Sequence, residues 1–416
     1  MQDNYRLKHM FVGVDLHKAT HTAVMVNCWG DKIEEITIEN RPADFEKLLK
    51  FAKKHTPKGM TPVFGLEDVG GHGRSLAVYL LEKNQIVKEV NASLAHDRRK
   101  SNPMYRKNDS WDAQCVADVL KDKMLELPDA NPQDIYWTIS QLVNRRDAIV
   151  KAQTALKNQL HGQLEHNYPS YKKFFSDITG KSALALWEGY PSPKSLVGVE
   201  VEELAQYLRE ASRNACSTKK AKAILELVKA DGDTTRDYQE TRDFLIQSHV
   251  RDIRFKLEEL RLIEAELAKL MATLEYQLET MPGISTVTAS QLVSQIGDIK
   301  RFSNHNKLAR YAGIAPVNFS SAGKGKDSKS KLGNRELHGI FYNIAKGQIQ
   351  ISKGSGKKRN EIFREYYERK MAEGKTSGQA MVCVMRRLVN IIYGMMKNKT
   401  AYRHPVISEP IPAKAA

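Results

Sequence analysis

Residues Met10 to Asp15 read Met-Phe-Val-Gly-Val-Asp, an apolar, partly β-branched run that closes on a carboxylate. Such a run suits a central strand, buried along its length, with its acid carried to the carboxyl end. A second run, Thr61-Pro-Val-Phe-Gly-Leu-Glu67, closes the same way, and the Gly70-Gly71 pair beyond it breaks the strand. Between them, His17 to Asn27 and Lys32 to Glu39 read as two more strands of an antiparallel meander, followed by a helix over about Ala43 to Lys54. A helix near Ser75 to Lys83 and a last strand at Ile86 to Val90 come next. From Lys107 to Leu120 the period becomes helical, and Asp109 and Asp112, three apart, share one helix face.

Asp15, Glu67, Asp109 and Asp112 therefore arrive in the order strand, strand, helix. Hard divalent cations take oxygen ligands, and phosphodiester chemistry is commonly run by two such ions held by carboxylates. A helical acid pair is also what a solvated face looks like, and a chain with 49 Asp and Glu residues will place some at strand ends. The ordered set, rather than any one acid, points to a metal cage.

The chain has 416 residues, enough for two or three domains, and 41% hydrophobic residues, enough for a core in each. A formal net charge of +16 calls for a polyanionic partner, nucleic acid above all. No run of eighteen apolar residues occurs, and Met-Gln-Asp-Asn-Tyr lacks the apolar core of a signal peptide, so a soluble, cytoplasmic protein with no membrane partner is expected. Cys28, Cys115, Cys216 and Cys383 lie far apart without C-x-x-C spacing, which argues against zinc and a disulfide framework and for buried, reduced thiols.

Tyr136 to His166 and Asp252 to Leu278 carry apolar residues at helical spacing and read as two antiparallel helices or as a dimerising coiled coil. The stretch 168–250 between them holds amphipathic segments near Val201 to Glu210 and Ala221 to Val228. At Met281-Pro-Gly-Ile a turn opens into a helix, and another helix starts at Asn304, an arrangement like a helix-hairpin-helix, in which helix-terminal amides receive a phosphate. A plain interhelical turn would carry the same residues. Beyond Tyr311-Ala-Gly-Ile-Ala-Pro316 lies a Gly- and Ser-rich segment with Lys324, Lys326, Lys329 and Lys331, read as a mobile cationic loop that grips a phosphate backbone. Arg335 then resumes a helix. Arg106 and Lys107 precede the acidic pair closely enough to touch the same strand of nucleic acid.

The four acids, the Pro282-Gly283-Ile284 turn, the Tyr311 to Pro316 segment with its serine-rich sequel, and the late Met-Val-Cys-Val-Met-Arg-Arg-Leu388 helix together resemble the DEDD insertion-sequence transposases, the group that includes the Piv-type DNA invertases. The resemblance spans most of the chain outside 168–250. It implies an α/β plus α fold: an RNase H-like (RuvC-like) domain over 1–125, a helical, coiled-coil middle over 126–280, and a mostly helical transposase domain over 281–416. It further implies a serine nucleophile at Ser321, with Ser320 adjacent, a noncoding guide RNA from the element, donor and target DNA, and dimers pairing into a tetramer.

The mechanism so implied is serine attack on DNA with a transient phosphoserine link, assisted by Mg2+ at Asp15, Glu67, Asp109 and Asp112, as two ions and with Mn2+ able to substitute. Three alternatives stand beside it. One is a RuvC-like nuclease with water as nucleophile. Another is a Piv-like invertase that works without guide RNA. The third is a binding protein whose acids do no chemistry.

Overall fold

The computed structural model describes residues 5–68, 71–101, 108–132, 134–212, 216–315, 317–321, 324–328, 333–352 and 354–403; for 317–321 and 324–328 it describes the backbone. The chain divides into two compact units, 1–137 and 138–416.

The first unit is a five-stranded sheet flanked by helices. In chain order it runs β1 (His9–Leu16), β2 (Thr20–Val26), β3 (Lys32–Glu39), α1 (Pro42–His55), β4 (Thr61–Leu66), α2 (Arg74–Glu82), β5 (Ile86–Glu89), α3 (Ala92–Lys100) and α4 (Asp109–Lys123). The sheet order is β3-β2-β1-β4-β5. β1 pairs antiparallel with β2 and parallel with β4, which in turn pairs parallel with β5, so the two acid-bearing strands are neighbours at its centre. The meander expected over residues 17–39 is present, although β2 starts only at Thr20, because the His17 amide bonds Thr20 O at 3.1 Å and closes a tight turn.

Strand periodicity divides β1 between two cores. Met10, Val12, Val14 and Leu16 meet Phe45, Leu48, Leu76 and Leu80 of α1 and α2. Phe11 joins Val63 in the other layer, with Val116, Ala117 and Leu120 of α4. Alternation puts Gly13 and Asp15 on that same side, toward α4, and Gly65 and Glu67 follow Val63 in the same phase.

His21 of β2 is fully buried, its ring 6.2 Å from Phe45 and nearly parallel to it. Its Nδ1 lies 3.1 Å from Thr20 O, while Nε2 is buried without a hydrogen-bond partner. Burial holds its pKa below the usual histidine value. The folded state therefore resists protonating His21, and the stability present above the ordinary histidine pKa of about 6.5 is lost as pH falls below it. We expect the urea midpoint of the first unit to drop between pH 7.5 and 5.5, and the drop to shrink in His21→Leu. An unchanged drop would assign it to other groups.

The second unit is mainly helical: α5 (Asp134–Asn167, starting in the first unit), α6 (Lys181–Gly189), α7 (Val201–Ser212), α8 (Thr218–Asp231), α9 (Gln239–Leu274), α10 (Thr286–Ile296) and α11 (His305–Tyr311), then a hairpin of β6 (Val317–Ser321) and β7 (Lys324–Ser328), then α12 (Arg335–Gln348), α13 (Glu361–Ala372) and α14 (Ser377–Asn398). The two long helices are antiparallel partners within one chain. Arg146 of α5 pairs with Glu264 of α9 at 2.8 Å, and Asn167 reaches Asp243 at 3.3 Å. Stretch 168–250 has its own core around Trp187, Tyr168, Tyr171 and Phe174, with Leu160, Leu164, Ile246 and Val250 from the long helices.

The loop expected beyond residue 316 differs from the structure. Its backbone forms an antiparallel hairpin in which Val317 pairs with Ser328 and Ser321 with Lys324. Only Ala322 and Gly323 separate the paired ends, a spacing that favours tight hairpin connections; both lie outside the described residues. The thiols also differ in part. Cys115 and Cys216 are buried, but Cys28 and Cys383 are half-exposed, and all are free. No helix among the described residues is long and apolar enough to cross a membrane.

Candidate active site

Asp15 is the penultimate residue of β1, and its carboxylate is largely buried on the α4 side. Glu67 follows the last residue of β4, one position later than a strand end, and lies half-buried in the same phase. Asp109 and Asp112 occupy the first turn of α4, where Asn108 caps the helix by accepting a hydrogen bond from the Trp111 amide at 2.7 Å. Acids in a first turn are favoured by the helix dipole, so this location costs α4 nothing. Asp112 is buried and Asp109 exposed.

Two nitrogen-bearing side chains draw the four acids into one group. His17 Nε2 is 3.0 Å from Asp15 Oδ2 and 3.5 Å from Asp109 Oδ1. The Arg99 guanidinium, from the last turn of α3, donates from Nη2 to Glu67 Oε2 at 2.6 Å and sets Nε 2.9 Å from Asp112 Oδ1. Arg98 beside it bonds the buried Asp118 at 2.9 Å, fastening α3 to α4. Sequence reasoning missed His17 and Arg99. His17 could have been suspected as the second residue after a strand-end acid, whereas nothing local marks Arg99 among its basic neighbours.

Asp15, His17 and Asp109 could hold a metal ion: one ligand atom from each lies within 4.8 Å of the others. Two buried oxygens strengthen the fit. Asp15 Oδ2 and Asp112 Oδ1 accept no hydrogen bond, although each has a nitrogen close by, because the N–H directions miss them. An acceptor stranded in this way carries a desolvation cost that a cation would relieve. Burial, and the charges of Asp112 and Asp109, raise the Asp15 pKa, against the lowering influence of His17 and Arg99. The carboxylate oxygens suit a hard divalent cation, and the imidazole is a donor that transition metals also accept. Cys115, buried in α4, is not among the ligands of this group, and burial pushes its thiol up to about 11.

Ser320, Ser321, Lys324, Lys326 and Arg335 belong to the second unit. Ser321 ends β6 with Ser320 before it, and Lys324 and Lys326 lie on β7; these are described as backbone positions. Arg335 opens α12 and is exposed. Arg106, Lys107, Lys329 and Lys331 lie outside the described residues. The Pro282 turn is held from below: buried Gln348 donates to Pro282 O, and Asn360 donates to Gln348 at 2.8 Å. Gly283 there adopts φ +87°, which a side chain would disfavour.

Two family models match the chain. One, described as a transposase, covers residues 12–169 and so includes all four acids. The other, described as a transposase of the IS116/IS110/IS902 family, covers residues 275–368, including the hairpin. The 44.8 kDa protein of insertion element IS116 from Streptomyces clavuligerus is 25% identical across 95% of this chain and 97% of its own. The 42 kDa protein of IS900 from Mycobacterium paratuberculosis is 23% identical over the same shares. A pilin gene-inverting protein from Moraxella lacunata is 28% identical over 40% of this chain and 52% of its own.

Proposed function

Because the chain belongs to the IS116/IS110/IS902 transposases, enzymes of DNA transposition and recombination, we propose that its first unit is an RNase H-like (RuvC-like) domain in which Asp15, Glu67, Asp109 and Asp112 bind the cations that drive DNA cutting and rejoining. The observation that carries this reading is the convergence of the four acids, from two adjacent strands and one helix, onto His17 and Arg99.

Asp15 and Asp109, with His17, would hold one Mg2+ or Mn2+ ion, and Glu67 and Asp112 would complete a second position. Bound there, divalent cations lower the pKa of an attacking hydroxyl and offset charge growing on phosphate oxygens. The chain supplies the rest. In our reading the Ser321 hydroxyl attacks the phosphorus of a DNA phosphodiester. A bond from Oγ to phosphorus forms, the bond to the leaving deoxyribose oxygen breaks, the serine proton is lost, and the leaving oxygen gains one. The phosphoserine ester keeps the phosphodiester's energy available for rejoining. Lys324, Lys326, Lys329, Lys331 and Arg335 beside it, with Arg106 and Lys107 ahead of the acids, hold the backbone. Donor and target duplexes are the substrates, a noncoding RNA of the element selects them, and dimers assemble into tetramers.

The similarity to a pilin gene-inverting protein favours a second reading, site-specific inversion without guide RNA. The acid and serine chemistry would be the same.

The test is an adduct assay with purified protein, element DNA, and element RNA added or withheld. Wild type with Mg2+ should form a covalent protein–DNA species that chelator abolishes, and Ser321→Ala should reduce it below about 1% while leaving DNA binding intact, since a deleted nucleophile has no substitute. An undiminished adduct in Ser321→Ala moves the nucleophile to Ser320. Metal-dependent cutting without adduct means that water attacks. Adduct formation independent of RNA selects the invertase reading.

A further inference from the structure

Arg99 stands among the acids as a cation already in place. Its side chain is largely buried, with 17% exposure, and spans the two carboxylates that the Asp15–His17–Asp109 group leaves out. The contact at 2.6 Å to Glu67 is a short, charge-assisted bond. Magnesium needs carboxylate oxygens at about 2.0–2.1 Å, and the guanidinium stands against Glu67 Oε2 and Asp112 Oδ1 at 2.6 and 2.9 Å, so an ion bridging those two oxygens would meet its positive charge at close range.

Charge counting leads the same way. Four carboxylates with Arg99 carry a formal charge of three negative. One divalent ion leaves one negative, while a second would leave the cluster one positive in a partly buried place. An arriving phosphodiester brings the missing negative charge. It also offers the guanidinium a fork of oxygens equivalent to the carboxylates it would give up.

Resting on the metal reading above, we propose that Arg99 is a built-in counter-cation: in the free protein it holds Glu67 and Asp112 and limits the cluster to one divalent ion, and it releases them to a second ion when a nucleic-acid phosphate takes the guanidinium. Arg99 is thus a positioning residue before substrate arrives and a phosphate ligand afterwards. The full two-ion site then assembles only on nucleic acid, which suppresses futile hydrolysis by the free enzyme.

The experiment is a Mn2+ titration of full-length protein without nucleic acid, with free ion read by electron paramagnetic resonance and fold checked by circular dichroism. Wild type should bind one ion, with a second at least about tenfold weaker. Arg99→Gln should bind the second at least about tenfold more tightly than wild type, and Arg99→Lys, which keeps the charge but loses the fork, should fall between. Two equivalent ions in wild type would overturn the proposal whatever the variants do. So would an unchanged second affinity in folded Arg99→Gln, or in Arg99→Lys if the glutamine variant does not fold. Asp15→Asn separates the two levels: loss of the first ion upholds the metal reading even if Arg99 proves irrelevant, and retention overturns both.

Discussion

Asp15→Asn is expected to lower metal-dependent DNA cutting by at least about a thousandfold while making the protein more stable at neutral pH. The substitution keeps shape and removes charge. Cation-assisted phosphodiester chemistry draws several kcal/mol from its ligands, and a thousandfold is about 4 kcal/mol of barrier. The stability gain has its own cause. Burial and the nearby charges of Asp112 and Asp109 raise the Asp15 pKa, so its ionised form opposes folding. A raised acid contributes stability below its unfolded value of about 3.9 and loses it as pH climbs through the folded value. The gain from Asn should therefore be present at pH 7 and fade as pH falls into the carboxylate range. Urea melts of metal-free protein at several pH values, beside a cutting assay at pH 7, measure both. A variant that is less stable at pH 7, or that still cuts, would make Asp15 a structural residue. A site that sacrifices stability for charge is the usual mark of function, and these paired signs report it.

The strand-end acids were legible because local pattern fixes them. An apolar run sets the strand, its period sets the face, and the charge marks the exit, so Asp15 and Glu67 fall within one residue of the ends of β1 and β4. The helical pair was legible through its spacing, helped by Asn108 as a cap. Residues 32–39 form β3 with the bounds read from sequence. Where local signals are missing, the reading fails. The helix expected from Asp252 begins at Gln239, because its N-cap is Tyr238 at φ +60° with no side-chain cap bond, so sequence offers no start signal. Of the apolar residues that give this stretch its helical spacing, Ile263 and Leu267 are buried as expected, whereas Leu257 and Leu262 are exposed and Ile253 joins the buried face. Which face of a long helix turns inward depends on the partner it meets. The hairpin at 317–328 was hidden because lysine, glycine and serine resemble a solvated loop, and only pairing across two residues reveals it. Arg99 was invisible for a related reason: its meaning lies in two carboxylates 32 and 13 positions away in the sequence.

Gly13→Ala should be the most damaging single methyl in the first unit. A Cβ at Gly13 would lie 2.2 Å from Ala117 N, 2.3 Å from Ala113 O and 2.8 Å from Ala117 Cα, all backbone of α4, so no rotamer change can make room. Its partner across β1 and β4 is Gly65, where a Cβ would meet only the side chains of Leu120 and Val90 at 3.1 Å. The paired glycines form a trough in which α4 lies against the sheet. Replacing a strand glycine by alanine returns about 0.5–1 kcal/mol of backbone entropy, and overpacking costs about 1–3 kcal/mol. At Gly65 the two nearly cancel. At Gly13 the obstacle is rigid, so we expect a net loss near the upper end, about 2–3 kcal/mol in a urea melt, with α4 displaced outward. Because α4 carries Asp109 and Asp112 while β1 carries Asp15, that displacement opens the acidic cluster, and Gly13→Ala should bind the first Mn2+ at least about tenfold more weakly while Gly65→Ala binds it normally. Equal effects from the two would mean that α4 is not seated by the trough, and that something other than this close approach sets the distance between Asp15 and its partners.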